Sequence, residues 1–279
     1  MAGTLYLVAT PLGNLSDVSF RAIDTLKSVA AVVAEDTRRA RILCERYAVT
    51  RPLVSMPAFR EGAQAAALVA RLAAGDDLAL VTDAGSPGIS DPGSTLVARA
   101  VEAGVRVVPI PGPSAVVAAL SASGLPSDRF FFAGFLPRKG TGRERALSQL
   151  KRLDATLVLY ESPERLVETL RDLAEAFGDR RACVARELTK IHEELVRGRL
   201  GELAARFEGE VRGEITLVVE GAAEEASVAA GDDAILAEAA RRLAAGEGSV
   251  KEIAREIAQA TGRPRSEVYA LALRARGER

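Results

Sequence analysis

The chain has 279 residues, 48% hydrophobic and 27% charged, and 37 Lys and Arg nearly cancel 38 Asp and Glu to leave a formal charge of −1. That length and apolar content exclude wholesale disorder and suit two domains, and no apolar run approaches the ~20 residues that a bilayer-crossing helix needs. Two cysteines, Cys44 and Cys183, and a single histidine, His192, are too few for a Cys/His zinc site or a disulfide framework, so we expect no metal.

From the N-terminus, strands are predicted at Leu5 to Thr10, Ala30 to Glu35, Leu78 to Thr82 and Val105 to Ile110. Phe20, Ile23 and Leu26, and later Leu68, Val69 and Leu72, recur between them at helical spacing. Alternation of this kind predicts an α/β domain over 1–125, a doubly wound parallel sheet covered by helices. Composition changes at Phe130 to Leu136, expected to be a buried strand or hinge rather than a base-stacking platform although Phe135 adjoins the expected ligand cleft, and Pro137 to Gly142 reads as a flexible basic loop. A second, α+β domain is expected over 126–222. It has strands at Thr156 to Tyr160, Ala182 to Leu188, Glu193 to Arg199 and Ile215 to Glu220, and a helix after Pro163. A loose stretch from Gly221 to Asp233 leads to a helical tail over 233–279. There Gly262 is expected to break one helix before Arg265 or Ser266 starts the next, a helix-turn-helix pattern. That unit reads equally as an RNA-positioning device and as a packing cap.

Ligands of open parallel sheets sit beyond the carboxyl ends of the strands, and the loops there are unusual. They are Thr10-Pro11-Leu12-Gly13-Asn14, the run Thr82 to Gly93, and Pro111-Gly112-Pro113-Ser114-Ala115. Proline fixes φ and glycine lets backbone approach a ligand, so each loop is a stiff rim. Neither nucleotide-binding glycine pattern, Gly-x-x-x-x-Gly-Lys-Ser/Thr nor Gly-x-Gly-x-x-Gly, occurs in them. A non-phosphate ligand such as S-adenosylmethionine fits better.

The three loops resemble those of the tetrapyrrole-methylase superfamily, whose members bind S-adenosylmethionine in a cleft between two α/β domains. Leu5 to Leu15, Glu35-Asp36-Thr37-Arg38, the 82–93 loop, Phe135-Leu136-Pro137-Arg138 and Arg186-Glu187-Leu188-Thr189-Lys190 resemble, more narrowly, the branch that 2′-O-methylates a cytidine in the decoding region of 16S ribosomal RNA. The resemblance implies a two-domain methylase fold and a homodimer. It also implies a cofactor shell of Pro11, Leu12, Asp83, Ala84, Gly85, Ser86, Ile89, Ser114 and Ala115, joined by Tyr160, Glu161, Leu188 and Thr216 from the second domain. Siroheme and cobalamin-pathway relatives carry Gly-x-Gly-Pro-Gly-Asp after the first strand, where this chain has Thr-Pro-Leu-Gly-Asn, so a tetrapyrrole acceptor is the weaker expectation.

A ribose hydroxyl is a weak nucleophile, helped by a base and by a nearby cation. Asp36 and Arg38 are the first candidates for those roles, with Asp91 and Lys190 beside them. A carboxylate at a strand end also reads as a helix cap or an ion-pair partner. His192, in a mixed stretch, is left without a role. RNA affinity depends on local cationic surface rather than on total charge. Residues 129–152 carry seven cations against one anion, and Arg138, Lys139 and Arg143 are the expected RNA contacts. The expected partner is 16S ribosomal RNA or the small subunit, with no membrane. The opening Met-Ala-Gly-Thr-Leu-Tyr lacks a signal peptide's basic lead, so a cytoplasmic location is expected. Two competing readings are a methylase of a small molecule and a non-catalytic, ligand-sensing nucleic-acid-binding regulator.

Overall fold

The computed structural model describes residues 2–222, 232–261 and 263–277; Gly262 and most of the loose stretch before the tail lie outside them. Met1–Gly221 forms one compact unit and Ala222–Arg279 another.

The first half of the larger unit runs β1 (Thr4–Val8), α1 (Phe20–Ser28), β2 (Ala31–Ala34), α2 (Thr37–Arg46), β3 (Leu53–Ser55), α3 (Glu61–Ala73), β4 (Leu78–Val81), α4 (Ser94–Glu102), β5 (Arg106–Ile110) and α5 (Ala115–Ser123). Its strands form a five-stranded sheet in the order β3-β2-β4-β1-β5, and every pair is parallel. Side chains alternate across a strand, which separates two cores. Val32, Ala34, Ala79 and Val81 pack with Leu26, Leu43 and Cys44 on one face. Ala31, Val33, Leu78 and Leu80 pack with Leu68, Leu72 and Leu96 on the other. With both faces covered, the strands read as continuous apolar runs, which is why four of the five are visible in the sequence. The fifth, β3, has three residues and pairs on one side only.

The second half runs β6 (Phe130–Phe135), α6 (Thr141–Leu150), β7 (Thr156–Glu161), α7 (Leu166–Phe177), β8 (Arg181–Arg186), β9 (Glu194–Arg199), α8 (Leu200–Arg206) and β10 (Ile215–Val219). Its sheet is mixed, in the order β6-β7-β10-β8-β9. One face is buried under α6, α7 and α8 through Leu150, Leu170, Leu173 and Leu203. The other is covered by α5, whose Val116, Ala119 and Leu120 pack on Val158, Cys183, Ala185 and Val218. Arg197 fastens α5 further, its guanidinium donating to the carbonyls of Ala122 and Ser123. Strand β6 corrects one expectation. As an edge strand paired only with β7, it leaves Phe130, Phe131 and Phe135 about half exposed instead of buried.

The described residues of the smaller unit form three helices, α9 (Asp232–Ala244), α10 (Val250–Thr261) and α11 (Arg265–Arg276). They share a core of Ile235, Ala239, Ile253, Ile257, Val268 and Leu271.

Candidate functional site

The parallel topology places the turns that follow β1, β4 and β5 on one edge of the first sheet. The first and second of these are stitched together: the Thr10 N–H donates to the Gly85 carbonyl (2.9 Å) and the Gly85 N–H to the Thr10 carbonyl (3.0 Å), while Thr10 Oγ1 donates to the Thr82 carbonyl (3.0 Å). Gly85 sits at φ +77°, a conformation that disfavours any side chain. The third turn lies against the end of β1, since a Cβ on Gly112 would stand 3.1 Å from the Ala9 Cβ.

A cavity of about 460 Å³ opens along this edge and is closed on the far side by the second sheet. Of the residues expected to bind a cofactor, Leu12, Asp83, Ala84, Gly85, Ser86, Ile89, Ser114, Ala115, Tyr160, Glu161, Leu188 and Thr216 all line it, together with Asp91. Pro11 is buried behind the wall. Glu35, Arg39, Ser90, Ser162, Gly213, Glu214 and Ile215 also line the cavity and were missed, and Phe135, expected to adjoin the cleft, lines it as well. Glu35 and Arg39 flank the expected Asp36 and Arg38 by one residue each, so the sequence located the turn but not the side chains that face inward.

The cavity gathers carboxylates. Burial pushes the Asp91 carboxyl up to about 6, with the charges of Glu35 and Asp83 adding to the effect. Glu35 is raised in turn, by burial and then by Asp83. A carboxylate that titrates near neutrality is suited to taking up a proton. Asp91 does not cap the helix that follows it. That task falls to Glu61, 9% exposed, whose Oε1 accepts from the backbone N–H groups of Gly93 (3.0 Å), Thr95 (2.7 Å) and Leu96 (3.1 Å) at the start of α4. Glu161 is engaged internally: its oxygens accept from Thr169 Oγ1 (2.6 Å) and the Ser162 N–H (2.8 Å), and Arg165 lies 3.4 Å away. It shapes the floor of the cavity.

Asp36 and Arg38 do not line the cavity. Asp36 is the N-cap of α2, accepting from the Arg38 N–H at 2.8 Å, and its carboxylate pairs with the Arg38 guanidinium at 2.6 Å. Hydrogen bonding to Arg38 holds the Asp36 carboxyl down at about 2, a poor proton acceptor at neutral pH. Lys190 also stands outside the wall. Its Nζ donates to Glu187 (2.8 Å) and to the cavity residue Glu214 (2.9 Å), and its stem fills the space where Gly13 lacks a side chain. Burial opposes its charge, but those two hydrogen bonds hold its pKa above the usual lysine value. The Asn14 N–H donates to Thr189 Oγ1 (3.1 Å), so the 187–190 turn clasps the turn after β1. His192 is exposed.

Among the expected RNA contacts, Arg138 and Lys139 are exposed on the turn before α6, and Arg143 is not. The side chain of Arg143 is buried against Asp172 (2.6 Å), Thr169 Oγ1 (3.0 Å) and the Pro137 carbonyl (3.0 Å). It pins the basic turn to α7. Asp172 keeps 32% of its side chain in solvent, so removing Arg143 costs less than the about 3–5 kcal/mol of a fully buried pair. Arg143→Ala is therefore expected to lower the thermal midpoint in calorimetry while the salt dependence of RNA binding stays unchanged. A drop in that salt slope with no loss of stability would return Arg143 to the cations expected to contact RNA.

Residues 4–204 match the family model of tetrapyrrole (corrin/porphyrin) methylases, and residues 229–276 match that of the RsmI C-terminal HTH domain. The chain is 46% identical to "Ribosomal RNA small subunit methyltransferase I" of Xylella fastidiosa strain Temecula1, over 96% of this chain and 98% of that one. Among solved structures it is similar to diphthine synthase (TM-score 0.63, 18% identity, 78% of this chain and 90% of that one). It is also similar to uroporphyrin-III C-methyl transferase from Thermus thermophilus complexed with S-adenyl homocysteine (TM-score 0.58, 21% identity, 78% and 97%); at these identities the likeness is one of fold. A cavity built from three stiff turns on a parallel-sheet edge, within a chain that matches such relatives from end to end, has one consistent origin: the chain belongs to the ribosomal RNA small subunit methyltransferase I family of the tetrapyrrole methylases.

Proposed function

We propose that this protein transfers a methyl group from S-adenosylmethionine to the ribose 2′-oxygen of a cytidine in the decoding region of 16S ribosomal RNA. The observation that carries the reading is the cavity itself, in which apolar Leu12, Ile89, Leu188 and Ile215 and the carboxylates of Glu35, Asp83 and Asp91 face one space. Apolar walls suit an adenosine, and an acidic lining suits a cation and opposes a bound phosphate. Bound there, S-adenosylmethionine supplies a methyl group activated by its sulfonium.

The chain's own residues supply the rest. The turns after β1, β4 and β5 hold the donor by backbone groups fixed before binding, and such positioning carries a large share of the acceleration in transfer reactions. Asp91 takes the proton of the attacking hydroxyl. Lys190 acts at one remove, by holding Glu214 and the turn after β1. Arg38, Arg138 and Lys139, all exposed, meet phosphates of the RNA outside the cavity. The helical tail positions the RNA, the active form is a homodimer, and the site of action is the cytoplasm.

Labelled S-adenosylmethionine, offered with unmodified small subunits, naked 16S RNA or uroporphyrinogen, tests the reading. Label in the ribosomal RNA at a ribose is expected, and label in uroporphyrinogen alone would replace it with a small-molecule methylase. Because Asp36 is engaged by its own helix and by Arg38, Asp36→Ala is expected to escape the about 10²- to 10⁴-fold loss of kcat that removing a general base brings. A loss beyond tenfold at unchanged cofactor affinity, read by kinetics and calorimetry, would put it back among the reacting groups.

A further inference from the structure

Strand β6 has the sequence Phe130-Phe131-Phe132-Ala133-Gly134-Phe135. Plain alternation would put Phe132 on one face of the sheet and Phe135 on the other. The register rules that out. Phe132 pairs with Val158, Gly134 with Leu159 and Phe135 with Tyr160, which leaves Ala133 as an extra residue. Gly134, at φ +64°, supplies the left-handed backbone this bulge requires. Val158 and Tyr160 are two apart and share a face, so the bulge moves Phe135 onto the face of Phe132. Without it Phe135 would share the face of Leu157 and Leu159, which are buried in the core beneath α7.

The relocated ring joins a small aromatic wall. The Phe132 and Tyr160 centroids are 5.0 Å apart at 69°, and those of Phe135 and Tyr160 are 5.7 Å apart at 58°. Packing does not use up the Phe135 ring: the residue stays 55% exposed while lining the cavity. The bulge also abuts the turn that carries Asp91, since a Cβ on Gly134 would stand 3.6 Å from Ser90 Oγ. The charge of Asp91 reaches the Tyr160 hydroxyl as well, adding to the effect of burial in raising its pKa.

A half-exposed aromatic face beside the proton acceptor is the feature that a base drawn out of its strand stacks on. We propose that Phe135 is the stacking platform for the acceptor nucleobase, held so that its ribose lies beside Asp91. This rests on the RNA-methylation reading given above and adds to it the subsite for the acceptor.

Phe135→Leu keeps an apolar side chain of similar size and removes the π-face. Its KM for unmodified small subunits is expected to rise about ten- to a hundredfold, with the Kd for S-adenosylhomocysteine unchanged. Phe135→Trp should restore KM. The chain contains no tryptophan, so that variant reports on the site alone. Its emission should be quenched by an oligoribonucleotide carrying the target cytidine and not by the same oligomer with an abasic site there. A weaker S-adenosylhomocysteine Kd in Phe135→Leu at unchanged RNA KM would overturn the proposal, assigning the ring to the donor's adenosine, and so would the absence of base-dependent quenching. Base-dependent quenching in a protein that labels no RNA would keep the platform and retire the methylation reading.

Discussion

Replacing Asp91 by asparagine is expected to lower kcat by about 10²- to 10⁴-fold and to leave S-adenosylhomocysteine binding almost unchanged, because the amide keeps the shape of the carboxyl and loses its basicity. The wild-type rate should rise with pH through about 6, the value to which burial, Glu35 and Asp83 bring this carboxyl, and level off above it. Stability should move the opposite way. A carboxyl whose folded pKa is raised stabilises the fold at low pH, and that contribution disappears as pH rises from the unfolded value through about 6. At pH 8 the ionised Asp91 is thus a burden of about 1–2 kcal/mol once partial solvent exposure is allowed for, and Asp91→Asn should melt a few degrees higher than wild type. Below pH 4 the gain should vanish. An unchanged pH–rate profile in the variant, or a lower melting point at pH 8, would remove Asp91 from the proton-acceptor role.

Glu61→Ala is expected to have the largest effect on stability. The variant leaves three N–H groups at the start of α4 without their acceptor, two of them on the buried residues Gly93 and Leu96. Losing a charged acceptor from buried donors costs about 3 kcal/mol or more, a fall in the melting midpoint of roughly 6–12 °C for a unit of this size. The effect should extend to cofactor affinity, since Gly93 ends the 82–93 turn that forms a rim of the cavity. Glu61→Gln keeps an acceptor oxygen and should lose less on both measures. A Glu61→Ala protein that melts within 2 °C of wild type would show that water replaces the carboxylate.

The fold was legible wherever burial wrote a pattern. Four parallel strands, and β7, β8 and β10 of the second sheet, carry β-branched or aliphatic runs, while the edge strand β9 shows only Leu195 and Val196 among charged residues. What failed to show was β3, with three residues and a partner on one side only; β6 was legible as a strand, but its place at the sheet edge, which exposes its phenylalanines, was not. The turns that line the candidate site were legible in the sequence, whereas Asp36 and Arg38, the charges expected to face inward, stand outside the cavity. Asp36 and Arg38 drew attention because opposite charges stood two residues apart, yet that nearness lets them satisfy each other at the start of α2. Asp91 has no cation beside it in sequence, and in the fold Glu35 and Asp83 face it. The task of Glu61 spans more than thirty residues of chain and leaves no local trace.

The helix α5 precedes the second sheet in sequence but buries its apolar face against that sheet. While the polypeptide is being synthesised, the first half can close its own parallel sheet as soon as β5 has emerged, but α5 must wait, with Val116, Ala119 and Leu120 uncovered, until β10 has left the ribosome and completed the surface it lies on. Biosynthesis therefore holds a greasy helix in suspense for about a hundred residues, and a ribosomal pause within that span would lengthen the interval in which the nascent chain needs a chaperone.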